Sequence, residues 1–185
     1  MKRFWRRPER LLDALVITLA VPTIAIAATM TSTEYSQAKE RAKADYKAAV
    51  AHCSSMTGNE KDVCTAEAKA AEKKARAEAE AAYKNTDKAR RDARVETAEA
   101  NYMVAKAKCD AMKGNDKDVC VKEAKAAEVK AKADAKATEK VAAARQDAAE
   151  DKRDADYKVA LEKCDAMSGP SKDACVASAK AKYGK

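Results

Sequence analysis

Cysteine has the widest chemical range of any side chain here, and the six cysteines fall into three pairs of one spacing: Cys53 with Cys64, Cys109 with Cys120, and Cys164 with Cys175, ten residues between the members of each. Zinc sites usually set their ligands two to four residues apart, and redox and haem-attachment motifs need Cys-x-x-Cys. The ten-residue spacing fits neither, which leaves the disulfide, with pairing inside each copy favoured by the repeat. His52 is the single histidine and reads as a bystander beside Cys53. Acids and bases are spread evenly along the chain, the pattern of solvated helix faces, and no catalytic constellation stands out. The expectation is a non-enzyme with no cofactor, no metal and no small-molecule substrate. A thiol or metal buffer built on Cys53, Cys64 and their counterparts is the reading that would keep the cysteines chemically active.

Each pair sits in a longer unit: Tyr, six residues, Cys, two residues, Met, one residue, Gly, then Lys-Asp-x-Cys. The matching residues are Tyr46, Tyr102 and Tyr157; Met56, Met112 and Met167; Gly58, Gly114 and Gly169; and Lys61-Asp62, Lys117-Asp118 and Lys172-Asp173. Glycine ends helices in the left-handed conformation, and Asn59 and Asn115 suit the N-cap of a following helix, which puts Asp62 and Asp118 at its third position, near the positive end of the dipole. In the third copy Pro170-Ser171 replaces Asn and its neighbour, and Ser171 is expected to cap. The unit therefore reads as helix, tight turn, helix. The midpoint between the paired cysteines falls on the turn, so each pair is placed to clip the neck of its hairpin. The tyrosines and methionines read as a small core around each disulfide, with a ligand groove as the alternative.

These units need helices to carry them, and the remaining sequence supplies little else. Beyond about Thr33 the chain is mainly Ala, Lys, Glu, Asp and Arg, with Pro170 its only proline. Asn59 to Lys113 and Asn115 to Ser168 contain nothing that must break a helix, and two helices of about 50 residues would each reach roughly 80 Å. Asn85-Thr86-Asp87 is the point where the first would kink or fray. Pairs such as Glu72 with Arg76, Glu80 with Lys84 and Glu128 with Lys132 add i,i+4 support. The fold class is thus all-α: long helices joined by three clipped hairpin turns, elongated and partly coiled-coil. Because the units recur after 56 and 55 residues, the two long helices are expected to pair along their length, bringing the first and third turns to one end.

The N-terminus has a different composition. Lys2, Arg3, Arg6, Arg7 and Arg10 precede an apolar run from Leu11 to Ala28 that ends in small residues, the layout of a secretory signal peptide. Ala25-Ile26-Ala27 predicts a cut after Ala27, leaving 28–185 as the helical repeat region. The alternative is an uncleaved inner-membrane anchor over 11–28, the one case in which the chain would contact a membrane. Losing five basic and two acidic residues with the leader takes the net charge from +8 to +5. The 33 basic residues left are interleaved with 28 acidic ones, and no Phe or Trp remains for stacking, so nucleic-acid binding is not expected.

The Ala/Lys/Glu-rich stretches Ala66 to Ala82 and Lys122 to Ala149 resemble the long central helical region of TolA-type cell-envelope proteins. The likeness is one of composition and covers the helices alone. It implies a periplasmic spacer tethered to the inner membrane and carrying a globular C-terminal domain for partners. Here the sequence ends ten residues after the last cysteine, so no such domain is expected. The functional expectation is an exported structural or interaction protein, a spacer or scaffold meeting an envelope protein or a copy of itself, in the periplasm or secreted. A stress-protective helical protein is the alternative.

Overall fold

A computed structural model describes residues 29–185. The signal-peptide reading of 1–27, its cut after Ala27 and the anchor alternative over 11–28 lie outside the described residues. Within them the chain is all-α: α1 (Ser32–Cys53), α2 (Gly58–Lys84), α3 (Asp87–Cys109), α4 (Gly114–Asp165) and α5 (Pro170–Tyr183), with no strand among the described residues. None of these helices is long and apolar enough to cross a membrane. α1 begins at a capping box: the Thr31 hydroxyl accepts from the Glu34 N–H at 3.2 Å, and the Thr31 N–H donates to the Glu34 carboxylate at 2.7 Å.

The helix expected from Asn59 to Lys113 is two helices. Asn85 takes a left-handed conformation with φ +46° and its N–H closes on the Ala81 carbonyl; Thr86 then caps α3, its hydroxyl accepting from the Ala89 N–H at 3.1 Å. Asp87 at the head of α3 and Arg90, which bridges it at 2.7 Å and reaches Asn85 at 2.9 Å, complete the turn. A residue tolerant of positive φ followed by an N-cap is a full stop and restart, so the predicted kink is a reversal. α2 and α3 lie antiparallel, tied by Lys73–Glu96 at 3.0 Å and Lys108–Glu67 at 2.8 Å.

The expected end-to-end pairing of two equal helices is therefore replaced by a meander. Each helix packs only on its neighbours in sequence: α1 on α2, α2 on α3, α3 on α4 and α4 on α5. Tyr35 of α1 stacks on Tyr83 of α2 with ring centroids 4.7 Å apart, and Gln146 of α4 donates to Asp87 of α3 at 2.8 Å. The open ends of these hairpins thus lie together, the first two clipped turns share the opposite end, and the third stands beyond the open ends on the extension of α4.

Alanine makes the row possible. In α3, Ala98 and Ala100 are two positions apart, hence roughly 200° around the helix, yet both are buried. One faces α4 with Tyr102 and Cys109; the other faces α2 with Ala89 and Ala93. So α2 and α4 flank α3 on opposite sides. In α4, Glu128, Gln146 and Cys164 are 18 residues apart, five turns, and so share one face. The first two meet α3 and the third meets α5, which places α3 and α5 end to end on the same side of the 52-residue α4. Residues 147–153, between them, are all exposed.

Candidate functional site at the clipped turns

The three expected cysteine pairs are the three disulfides, with Cα–Cα distances of 5.6, 5.7 and 5.6 Å. In each pair the first cysteine is 1 % exposed and the second half-buried, and none of the six is free. The same backbone turn closes each copy: the N–H of Met56, Met112 and Met167 donates to the carbonyl of Cys53, Cys109 and Cys164 at 3.1, 2.9 and 2.9 Å. Gly58, Gly114 and Gly169 follow at φ +57°, +56° and +58°, the region where a Cβ is strained. His52 is exposed beside the first clip.

Several local expectations change. α2 and α4 start at Gly58 and Gly114 themselves with no side-chain cap bond, so Asn59 and Asn115 lie inside the first turn. Glu60 and Asp116 then occupy the first turn, and Asp62 and Asp118 fall just beyond it. In the third copy Gly169 holds the cap position with Pro170 at the head of α5, where its missing N–H costs nothing; Ser171 is inside the helix. The methionines do not form a common core: Met56 is half-buried, while Met112 and Met167 are 46 % and 48 % exposed, because the tight turn throws them off the hairpin tip.

The tyrosines do pack, each against the helix that returns from its clip. Tyr46 lies in the groove with Glu72 and Arg76 of α2, Tyr102 lies beneath the Lys125 ammonium of α4 at 4.9 Å, and Tyr157 meets Tyr183 of α5 at 6.1 Å. Two positions went unread in the sequence. Lys117 bridges Asp110 at 2.8 Å and Lys172 bridges Asp165 at 2.9 Å across their turns, so in the second and third copies the lysine of Lys-Asp-x-Cys locks onto the residue just after the first cysteine. Lys117 holds the Asp110 carboxyl below its ordinary value, and Asp165 raises Lys172. The signal was Cys-Asp-Ala-Met in the second and third copies; Ser54 stands there in the first and bonds the Ala51 carbonyl instead.

Behind the second clip a ladder of charges crosses three helices. Lys73 of α2 approaches Glu99 of α3 at 3.8 Å, Glu99 bridges Lys132 of α4 at 2.8 Å, and Lys132 and Lys125 hold Glu128 at 2.7 Å each. Glu128 is only 5 % exposed, covered by these lysine stems. The hydrogen bonds from Lys125 and Lys132 hold Glu128 below its ordinary value, that from Lys132 does the same for Glu99, and Glu128 and Glu99 raise Lys132. Lowered carboxylates contribute stability that is whole above their ordinary value of 4.5 and lost as the pH falls through the depressed values. The raised lysine contributes stability that is whole below 10.5 and lost as the pH rises through its raised value. Thermal melts followed by circular dichroism are expected to fall off on the acid side below pH 4.5, with a shallower fall in Glu128→Gln.

These groups do mechanical work: covalent clips, cross-turn bridges and an interhelical ladder, each satisfied within the chain. The thiols are consumed in disulfides and the grooves on either side of α3 are lined chiefly by alanines, with Asn101, Tyr102 and Val104 among them. Among the described residues no three His, Cys, Asp or Glu side chains converge to hold a metal ion. Compared with family models, with curated proteins and with solved structures, the chain matches none.

Proposed function

We propose that this is an exported, non-enzymatic helical protein of the bacterial cell envelope, a spacer or interaction scaffold working in the periplasm. The observation that carries the reading is the division of labour between covalent and apolar forces. Three disulfides secure the turns of an alanine-lined meander, whose burial per residue is small, and such clips persist in an oxidising compartment. The basic, apolar leader of residues 1–27 supports export, and the TolA-like composition of α2 and α4 supports an envelope setting. The 52 residues of α4 give the protein a reach of roughly 80 Å, the dimension a spacer uses. Preformed, clipped helices weigh against a stress-protective chain that orders only on drying, and paired thiols weigh against a buffer.

Crosslinking in intact cells followed by pull-down, beside circular dichroism of the oxidised protein in dilute solution, tests this. High helicity with a discrete envelope partner is the expected result. A disordered spectrum that turns helical on drying replaces the scaffold with the protective reading, and titratable thiols with stoichiometric metal uptake replace it with the buffer.

A further inference from the structure

The face of α4 turned away from α3 and α5 has no partner among the described residues. Nine residues are two and a half turns, so Val119, Ala137 and Ala155 lie opposite Glu128, Gln146 and Cys164. Among the described residues α4 touches only α3 and α5, both on the latter side. Along the free side Val119 is 43 % exposed, Val141 49 % and Val159 54 %, with exposed alanines at 126, 133, 137, 144, 148 and 155 between them. The apolar stripe runs along most of the longest helix, interrupted by Lys130 and Glu162.

The charges beside the stripe suggest what covers it. Lys136, Lys140, Asp147 and Asp151 run along one flank; Glu123, Asp134, Lys152 and Lys163 run along the other. All eight are exposed and none makes an ion pair among the described residues, whereas Lys125, Glu128, Lys132, Glu139 and Asp154 on the packed side of the same helix are bridged. A two-fold axis crossing α4 near residue 143 sets like flanks of two antiparallel copies against each other. It pairs Lys136 with Asp151, Lys140 with Asp147, Asp134 with Lys152 and Glu123 with Lys163, every pair of opposite sign and every pair made twice. The same register lays Ala137 on Ala148, Val141 on Ala144 and Ala126 on Val159.

A parallel pairing also matches opposite signs along its flanks, but it sets Lys130 against Lys130 and Glu162 against Glu162 in the middle of the stripe. The antiparallel register removes both self-contacts: Lys130 moves beside Ala155 and Asp156, and Glu162 moves opposite Glu123, whose charge the neighbouring Lys163 offsets. The face offers about 20 residues a side over roughly 70 Å, the size of a standard interface. We propose that the free face of α4 binds the same face of a second copy of this chain, antiparallel about residue 143. The inference goes beyond the scaffold reading without depending on it: a monomer would leave that reading standing, and a dimer would stand if the envelope partner were never found.

The test is sedimentation equilibrium on the protein with its disulfides intact, at low and at high salt. The expected mass is that of two chains, with weaker association as salt screens the flanks. Lys136→Glu with Lys140→Glu turns four attractive contacts repulsive and is expected to weaken the dimer about thirtyfold. Adding Asp147→Lys and Asp151→Lys restores it, because the swapped charges meet only in the antiparallel register; in the parallel one they would face Arg145 and Lys152. Glu and Lys are both good helix formers on an exposed face, so helicity by circular dichroism is expected to stay constant. A monomer at every concentration, a dimer indifferent to the double substitution, or a failure of the fourfold variant to restore it overturns the proposal.

Discussion

Replacing Cys164 and Cys175 together with serine is expected to release α5 from α4 while leaving the rest of the meander in place. Closing a loop this short is worth about 3 kcal/mol in the chain-entropy model. Little else holds α5. It has 14 residues, buries only Ala179, and meets α4 through the tilted Tyr157–Tyr183 pair and the surface Lys172–Asp165 and Lys185–Asp154 bridges. A free helix of that length is marginal in water. Hydrogen exchange is expected to show about a hundredfold loss of amide protection across α5, with α1 to α3 unchanged because α5 touches only α4. Unchanged protection in α5 would mean that the tyrosine pair, and not the disulfide, secures it. The same change at Cys53 and Cys64 should be felt less, since α1 has 22 residues and the Tyr35–Tyr83 stack at its far end.

The second large effect is expected at Ala100. Its side chain is 0 % exposed on the face of α3 that meets α2, and interiors packed this closely do not absorb three extra carbons. Ala100→Leu is expected to cost about 1 to 3 kcal/mol, read as a lower urea midpoint with an unchanged slope. Ala75→Leu, on an exposed stretch of α2, serves as the control and is expected to stay within about 0.5 kcal/mol of the parent. Equal effects at the two positions would mean that the α2–α3 contact is too loose to feel a leucine.

The parts of this fold written locally were legible, and those decided by packing were not. The clips could be read because three copies share one spacing and each midpoint falls just after a glycine. The length of α4 could be read because 115–168 contains no breaker. At Asn85 the signal was present but its size was not: the residues that permit a kink also permit a reversal, and the choice between them belongs to alanine faces on α2 and α3 that meet only after the chain has turned. Once that reversal occurs, two long helices can no longer pair along their length, so one local ambiguity displaced the expected arrangement of all three turns. Met112 and Met167 were misread for a similar reason, since residue type suggests burial but nothing packs beyond a hairpin tip. The Asp110–Lys117 and Asp165–Lys172 bridges were hidden by the first copy, where Ser54 breaks the pattern.

Of the four places where the chain reverses among the described residues, three are joined covalently at the neck and the one at Asn85 is not. A proteolytic cut at Lys61, Lys117 or Lys172 falls between paired cysteines and leaves both halves attached through sulfur. A cut at Lys84 or Lys88, beside the unclipped reversal, or at Lys152 or Arg153 in the exposed stretch between α3 and α5, separates them outright. Non-reducing and reducing gels of a limited tryptic digest should therefore tell the two classes of cut apart, and a protease could shorten this protein only at its unclipped places.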